Sequence, residues 1–211
     1  MKSSSSTHAG GKARSKAQGK PLAGKHPGEV RIIGGLWKRS KLTVDARAGL
    51  RPTPDRVRET LFNWLGKDLT GWHCLDAFAG SGALGFEAAS RGAQSVILVE
   101  QGAALVARLQ EAKVRLKAEA VQLQRGDALM SLDRAAPASL DLVFLDPPFD
   151  SKSIDAALKS AARALKAQGW LYLEAARRWS EDEVKAFGLQ SYRHLRAGAV
   201  HAHLLRKAAP A

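Results

Sequence analysis

Cysteine is nearly absent from this sequence of 211 residues, which contains only Cys74. A single cysteine excludes an intramolecular disulfide, and this fits a reducing compartment. Because Cys74 stands in a strand-like run, we interpret its thiol as buried and inert. The six histidines show no metal-ligand spacing with Cys74, and we therefore assign no metal.

Long apolar runs are missing as well. No stretch reaches the roughly 18 consecutive apolar residues that a transmembrane helix requires, so we expect no membrane-spanning segment and no membrane partner. The basic, Ser-rich N-terminus lacks the apolar segment of a secretory signal. We therefore expect a cytoplasmic protein.

Acidic residues are scarce relative to basic ones. Asp and Glu total 20 against 33 Lys and Arg, which gives a net charge of +13 and a pI near 10.2. Residues 1–30 hold six of the basic residues and one acid, so the rest of the chain is basic in its own right. This balance favours a polyanionic partner, nucleic acid before a membrane surface. The alternative is a generically basic protein.

Large apolar side chains are almost absent from residues 1–28, which are mostly Ser, Gly, Lys and Ala. Such a segment buries too little surface to offset the entropy lost on ordering, so we predict a disordered basic tail. A basic arm of this kind adds salt-dependent contacts with phosphates when the protein binds nucleic acid.

A hairpin is predicted over residues 30–44, where two runs typical of β-strands flank Gly34 and Gly35. Trp37 lies among several basic side chains in this segment. The basic residues predicted to contact RNA are Arg31, Lys38 and Arg39. Interleaved basic and aromatic residues are typical of a surface that contacts RNA, but a solvated hairpin anchored by one Trp would show the same pattern.

A helix is predicted next, with Thr53 as its N-cap, Pro54 at its first position and Gly66 just after its end. Its apolar residues, Val57, Leu61, Trp64 and Leu65, fall on one face. Three arginines, Arg51, Arg56 and Arg58, gather at its start, where the helix dipole favours anions. We expect these arginines and Thr53 to meet a phosphate or a cofactor carboxylate, the alternative being solvated arginines paired with nearby acids.

From residue 72 onward, strands and helices alternate, which predicts a parallel sheet covered by helices on both faces. The strands are expected near 72–77, 95–100, 120–125, 140–146 and 169–174, and the helices near 83–91, 102–118 and 152–167. A short helix near 180–187 precedes two strands, 189–196 and 199–206, which the short connection forces to pair antiparallel. The expected fold is therefore α/β with an antiparallel edge hairpin.

A glycine motif follows the first strand of this sheet. Gly80, Gly82 and Gly85 satisfy G-x-G-x-x-G between a strand and a helix. Glycines permit a tight turn and the close approach of a ligand to the backbone, and the helix start adds N–H donors. The motif alone would serve NAD, FAD or S-adenosylmethionine. Glu100, at the end of the second strand, would accept ribose hydroxyls in any of them.

Three further acids discriminate among these ligands. Asp76, at the end of the first strand, would repel a pyrophosphate but suits the ammonium of a methionine moiety. Asp127, after the third strand, is placed to accept a hydrogen bond from an adenine amino group. Asp146 ends the fourth strand and has no role in hydride transfer. Acids at four successive strand ends favour a cationic, amine-rich ligand such as S-adenosylmethionine.

The segment that starts at Asp146 reads Asp-Pro-Pro-Phe. Pro147 and Pro148 fix φ at two successive positions and make the turn stiff, and Phe149 adds a flat apolar ring. By itself this segment could be a plain turn after a strand. Together with the upstream acids, this segment becomes the candidate for the acceptor half of a methyl-transfer site.

These motifs together resemble a known family. The run D-A-F-A-G-S-G, with E, D and D-P-P-F at the following strand ends, resembles class I S-adenosylmethionine-dependent methyltransferases that methylate amines. The segments R-I-I-G-G-L-W-K-R-S-K-L and L-R-P-T-P-D-R-V-R-E-T-L-F-N-W-L make it similar to the RsmD family. The resemblance runs from about Val30 to Arg206, and the two N-terminal segments are its specific part.

The resemblance implies a Rossmann-like methyltransferase domain over 69–208 and an RNA-contacting extension over 29–68. It implies methylation of the exocyclic N2 of a guanine in 16S ribosomal RNA, guanine 966 in the family, within a 30S subunit or an assembly intermediate. The implied cofactor-binding residues are Asp76, Phe78, Ala79, Gly80, Ser81, Gly82, Glu100, Gln101, Asp127 and Ala128.

The expected chemistry of the acceptor site follows from its residue types. Asp146 would accept one N–H of the amine and the carbonyl of Pro147 another, while Pro148 keeps that carbonyl aimed and Phe149 stacks on the base. Holding the amine in line with the methyl group supplies much of the rate enhancement. The alternatives left open are methylation of another base or of a protein amide, an NAD-dependent oxidoreductase and an inactive RNA-binding protein.

Overall fold

A computed structural model describes residues 28–44, 53–147 and 154–208. The strands are β1 (Gly28–Arg31), β2 (Lys41–Val44), β3 (His73–Asp76), β4 (Ser95–Glu100), β5 (Val121–Arg125), β6 (Leu140–Leu145), β7 (Leu165–Ala175), β8 (Leu189–Ala197) and β9 (Val200–Lys207). The helices are α1 (Asp55–Trp64), α2 (Ala83–Ser90), α3 (Ala103–Leu116), α4 (Ala128–Arg134), α5 (Ile154–Ala164) and α6 (Glu181–Lys185).

Seven strands form one central sheet in the order β5-β4-β3-β6-β7-β9-β8. The first five are parallel, and β9 pairs antiparallel with both β7 and β8. The expected parallel sheet with an antiparallel edge hairpin is therefore confirmed. The strand order reverses direction between β3 and β6, and α/β sheets bind their ligands at the carboxyl ends beside such a reversal. Asp76 and Asp146 stand at these two ends.

Helices cover both faces of the sheet. One face packs against α1, α2 and α3 through alternate strand residues such as Phe144 and Tyr172. The other face packs against α4, α5 and α6 through the intervening residues such as Val143 and Leu173. Alternation along each strand thus divides the core into two apolar layers.

The predicted positions of β3 to β6 and of α2 and α3 agree with the structure to within about two residues. Helix α4 was missed. It begins because the side chain of Asp127 caps it by accepting the N–H of Met130. The expected helix over 152–167 was too long, since α5 ends at Ala164 and β7 already begins at Leu165, which pairs with Leu140.

The N-terminal hairpin forms, but its turn differs from the prediction. Strands β1 and β2 pair antiparallel, and residues 32–40 connect them instead of a tight turn at Gly34 and Gly35. The connection is longer because it binds α2. Gly34 donates its backbone N–H to Glu87, and Leu36 donates its own to the carbonyl of Ser90. A Cβ at Gly35 would overlap the Ser90 carbonyl, so glycine is required there.

Helix α1 starts one residue later than predicted. Pro54 is the N-cap and Asp55 the first helical residue, so Thr53 does not cap the helix. The Thr53 hydroxyl instead donates to Glu174 on β7 at 2.6 Å. Gly66 follows the C-cap with a φ of 97°, which confirms its predicted role at the helix end.

The prediction of a disordered tail falls on residues 1–27, which lie outside the described ranges, and Gly28 already belongs to β1. Across the described parts of the chain, every helix is too short or too polar to cross a bilayer.

Candidate active site

The glycine motif forms the loop between β3 and α2. Gly82 adopts a left-handed φ of 76° as the N-cap of α2, a conformation that other residues adopt only under strain. Gly85 faces β4 so closely that a Cβ would overlap the Leu98 side chain. The predicted tight turn is therefore present, and the close packing of α2 on β4 is a second reason for glycine that the sequence analysis did not give.

Asp76 ends β3 with its carboxyl group buried beneath this loop. Its Oδ2 atom accepts the backbone N–H of Gly85 at 3.1 Å. Burial raises the pKa of Asp76 to about 7, while hydrogen bonds from the Gly85 and Phe78 N–H groups lower this pKa and the charge of Glu100 raises it. A cationic ligand beside Asp76 would favour the ionised carboxylate.

Glu100 ends β4 and joins two backbone segments. One carboxylate oxygen accepts the N–H of Gly80 at 3.0 Å, and the other accepts the N–H of Gly102 at 2.7 Å. These bonds hold the carboxylate at the edge of the glycine loop. Each oxygen keeps a further lone pair that could accept a ligand hydroxyl.

Asp127 and Gln101 lie together at the adjacent strand ends. The side-chain amide of Gln101 donates to Oδ2 of Asp127 at 2.9 Å, while Oδ1 accepts the N–H of Met130. The neighbouring Ala128 is buried in the first turn of α4. The structure thus brings these three predicted cofactor-binding residues to one position beyond β4 and β5.

Asp146 directly follows β6 and is half-buried, with Pro147 buried beside it. Burial raises the pKa of Asp146 well above its ordinary value, and the negative charges of Glu174 and Asp76 raise it further. The nearby hydroxyl of Thr53 lowers this pKa and so opposes the shift. The predicted roles of Pro148 and Phe149 fall on residues outside the described ranges.

A single cleft contains the glycine loop and the acceptor aspartate. Its lining residues are Val44, Thr53, Asp76, Phe78, Ala79, Gly80, Ser81, Ala83, Leu84 and Asp146. The β2 residue Val44 and Thr53 before α1 show that the N-terminal segment forms one wall of this cleft. The structure therefore brings the predicted donor site and the predicted acceptor together.

Two residues beside this site, Glu174 and Tyr172, were missed by the sequence analysis. Glu174 lies near the end of β7 with almost no exposed surface, and its Oε1 atom accepts hydrogen bonds from Thr53 and from the hydroxyl of Tyr172. The signal was present in the sequence. Glu174 is an acid at the end of the fifth parallel strand, the position that singled out the other four acids.

Arg58 does not lie where an RNA-contacting residue must lie. Its side chain is 0% exposed and donates to Asp55 at 2.7 Å and to the carbonyl of Arg31 at 2.8 Å. Thr53 is also buried against Glu174. Both are corrections: Arg58 offsets its charge within the protein, and the Thr53 hydroxyl already has a partner. Arg51 lies outside the described ranges.

The other predicted RNA-contacting residues are exposed, namely Arg31, Lys38, Arg39 and Arg56. They do not form one cluster. Lys38 and Arg39 lie in the connection that binds the C-terminal end of α2, whereas the cleft is at the start of that helix. The eight residues of α2 span roughly 12 Å. The hairpin therefore extends from the mouth of the cleft to the opposite end of α2.

Comparison with known proteins shows the family. Residues 30–206 match the family model described as "Conserved hypothetical protein 95". The chain is 43% identical over 148 residues to Ribosomal RNA small subunit methyltransferase D of Escherichia coli strain K12, covering 70% of this chain and 72% of that protein. It is 39% identical over 180 residues to the protein of the same name from Haemophilus influenzae, covering 79% and 93%.

Solved structures agree with this assignment. The chain matches yhhF from Escherichia coli with a TM-score of 0.76 and 37% identity, over 87% of this chain and all of that one. A likeness at 15% identity to TYW2 from M. jannaschii in complex with AdoMet, with a TM-score of 0.61 over 89% and 88% of the two chains, shows the shared fold. The chain belongs to the ribosomal RNA small subunit methyltransferase D (RsmD) family of class I, S-adenosylmethionine-dependent methyltransferases.

Proposed function

We propose that this protein methylates the exocyclic N2 of a guanine in 16S ribosomal RNA, the family's guanine 966, within a 30S subunit or an assembly intermediate. The observation that carries the proposal is one cleft that holds both Asp146 and the glycine loop of β3–α2. The names of the related proteins supply the ribosomal substrate. The choice of N2 rests on the resemblance of the acceptor segment.

The residues of the cleft fit S-adenosylmethionine. The buried carboxyl of Asp76 suits the ammonium group, and the free lone pairs of Glu100 suit the ribose hydroxyls. Asp127 presents its carboxylate, steadied by Gln101, where it can accept the adenine amino group. When bound, this cofactor supplies an electrophilic methyl group on a cationic sulfur.

The acceptor side orients the amine. A guanine amino group is a poor nucleophile because its lone pair is conjugated with the ring. Asp146 accepts one N–H and the carbonyl of Pro147 accepts the other, which directs the lone pair towards the methyl group. Alignment of this kind lowers the activation barrier by on the order of 7–11 kcal/mol. The target base must leave its stack to enter the cleft.

The exposed basic residues of the hairpin, with Arg56 on α1, are the proposed RNA contacts. They are spread along the N-terminal segment, from the cleft to the far end of α2, and the chain as a whole carries a charge of +13. Contacts of basic side chains with phosphates position an RNA without reading its sequence. The choice of guanine must therefore come from the shape of the RNA and from the acceptor pocket.

The geometry of the acceptor does not distinguish guanine N2 from another planar amine, such as that of adenine or of a protein amide. A nicotinamide-dependent oxidoreductase fits poorly, because the carboxylate of Asp76 lies beneath the loop that would hold a pyrophosphate. The nature of the product therefore decides among the amine substrates.

The test is transfer of a labelled methyl group to 30S particles and naked 16S RNA from a strain that lacks the modification, followed by nucleoside analysis. We expect N2-methylguanosine. An Asp146→Asn variant should be inactive, and Asp155→Asn, which changes an exposed acid on α5, should match the wild type. N6-methyladenine in the product, or no transfer by folded protein, would overturn the proposal.

A further inference from the structure

Asp146 and Glu174 stand side by side on neighbouring strands. In the parallel pairing of β6 with β7, Phe144 lies opposite Tyr172 and Leu145 opposite Leu173. Continuing this register by one residue places Asp146 beside Glu174, with both on the face that bears Phe144 and Tyr172. Adjacent strands are about 4.8 Å apart, so two carboxyl groups share one end of the sheet.

Glu174 is held in place by two hydroxyl groups. The Thr53 hydroxyl donates to Oε1 at 2.6 Å, and the Tyr172 hydroxyl donates to the same oxygen at 2.7 Å. All three side chains are buried. Two donors on one oxygen favour the ionised form of Glu174, so its negative charge lies next to Asp146 in a region that water screens weakly.

The surrounding groups leave this charge largely uncompensated. On β3, Asp76 adds another carboxyl, and on β7 the neighbour is the Tyr172 phenol. On α1, the cation is Arg58, which is already engaged by Asp55 and by Glu87 on α2. Burial raises the pKa of Glu174 above its ordinary value, against the hydrogen bonds from Thr53 and Tyr172 that lower it. Burial also raises the pKa of Asp146, and the charges of Glu174 and Asp76 raise it further.

We propose that Asp146 and Glu174 act as one carboxyl pair that receives the proton released on methyl transfer, with Asp146 touching the amine and Glu174 a positioning residue that acts through it. This inference rests on the proposed function. Glu174 makes Asp146 a better proton acceptor near neutral pH than an isolated aspartate would be, which is the condition under which a general base is effective.

The amine nitrogen forms a bond to the methyl carbon while the carbon–sulfur bond breaks, and that bonding pair remains on sulfur as a neutral thioether. The nitrogen now carries the positive charge. Its N–H bond then breaks, the electron pair returns to nitrogen, and the proton passes to Asp146. The proton leaves the pair to solvent once the product has gone.

The Glu174→Gln variant separates the effect of the Glu174 charge from the effect of its hydrogen bonds. The amide oxygen of glutamine still accepts from Thr53 and Tyr172, so the packing is preserved while the negative charge is lost. In the cofactor-free wild type, Asp146 and Glu174 hold their protons more tightly in the folded state than in the unfolded state, so their contribution to stability falls as the pH rises above about 4. We expect the drop in Tm between pH 5 and pH 8 to be smaller in Glu174→Gln, and unchanged in the exposed control Glu119→Gln.

The pH profile of methyl transfer gives the second measurement. Activity requires ionised Asp146, and the negative charge of the neighbouring Glu174 raises the pKa of Asp146. Removing it should move the acidic limb of the kcat/KM profile to lower pH by at least about one unit, a tenfold change in proton concentration. Tyr172→Phe removes one hydrogen-bond donor from Glu174, so Glu174 holds a proton more readily and its negative charge beside Asp146 is reduced. The acidic limb should therefore also move to lower pH, but by less than in Glu174→Gln.

The outcomes separate the two proposals. If wild type forms N2-methylguanosine but neither variant shifts the acidic limb nor the pH dependence of Tm, the carboxyl pair is refuted and the proposed function stands. If the Tm of cofactor-free Glu174→Gln changes with pH as expected while no ribosomal RNA is methylated, the coupling of the two carboxyls stands, but the proposed function and the role of the pair in it fail. Should Glu174→Gln not fold, Tyr172→Phe provides both measurements.

Discussion

Arg58 and Glu87 face each other 3.7 Å apart, and neither side chain has any exposed surface. Glu87 also accepts the backbone N–H groups of Ile33 and Gly34, at 2.6 and 2.8 Å, and forms an ion pair with Arg91. This buried acid therefore links α1, the hairpin connection and the end of α2. The wall of the cleft that carries Thr53 depends on this link.

Replacing Arg58 with methionine should destabilise the fold strongly. Removing one partner leaves the charge of Glu87 less well compensated in the core, and breaking a buried pair in this way costs about 3–5 kcal/mol. The free energy of unfolding from urea titration measures this effect. The matched control, Arg56→Met, changes an exposed arginine of the same helix and should stay within about 0.5 kcal/mol of the wild type.

Cofactor binding should tighten as the pH rises through about 7, the pKa to which burial raises Asp76. Asp76 must be ionised to hold the ammonium group, and below pH 7 binding must first remove its proton. Titration calorimetry at pH values on both sides of this pKa measures the dependence. Asp76→Asn should bind more weakly and lose most of the pH dependence that Asp76 contributes. If cofactor affinity in this variant depended on pH as steeply as in the wild type, a group other than Asp76 would be responsible.

Replacing Asp146 should impair methyl transfer, whereas replacing Asp76 should impair cofactor binding. Asp146→Asn should abolish methyl transfer and leave the Kd for the cofactor within a fewfold of the wild type, because Asp146 serves the acceptor. Asp76→Asn should raise that Kd by roughly tenfold or more, since it loses a charge-assisted contact with the ammonium group. Binding by calorimetry and transfer of labelled methyl to 30S particles distinguish the two. Identical behaviour of the two variants would contradict the division of roles.

Lys38 and Arg39 should contribute to RNA affinity in a salt-dependent way. Replacing both with alanine should weaken RNA binding and reduce the slope of log K against log salt by about one for each phosphate that is no longer bound. Filter binding at several salt concentrations measures this. The control is Lys159→Ala, an exposed lysine on α5 across the sheet. Unchanged RNA affinity in the double variant would show that both residues are solvated and do not contact RNA.

Periodicity and turn chemistry were sufficient to predict the sheet. Strands β3 to β6 were placed within about two residues because each is a short apolar run bounded by polar or turn-forming residues. The position of acids at strand ends likewise identified Asp76, Glu100, Asp127 and Asp146 as a group, and the structure brings Asp76 and Asp146 into one cleft.

Contacts between distant segments could not be predicted in this way. The pattern around Arg58 matched that of a solvent-exposed helix start, and only the placement of α2 shows that Arg58 is buried against Glu87. Thr53 satisfied the local rule for an N-cap, but a partner on β7 took its hydroxyl. Local preference was overridden in both cases by a group far away in the sequence.

The shared core has a consequence for synthesis of the chain. Ile32, Leu42 and Phe62 belong to the same buried cluster as Phe144 and Tyr172. These N-terminal segments therefore complete their contacts only after Phe144 and Tyr172 have been synthesised. Contacts this distant in sequence form slowly. Until then the N-terminal hairpin and helix expose their apolar faces, and during this interval the nascent protein is most exposed to aggregation and to chaperone binding.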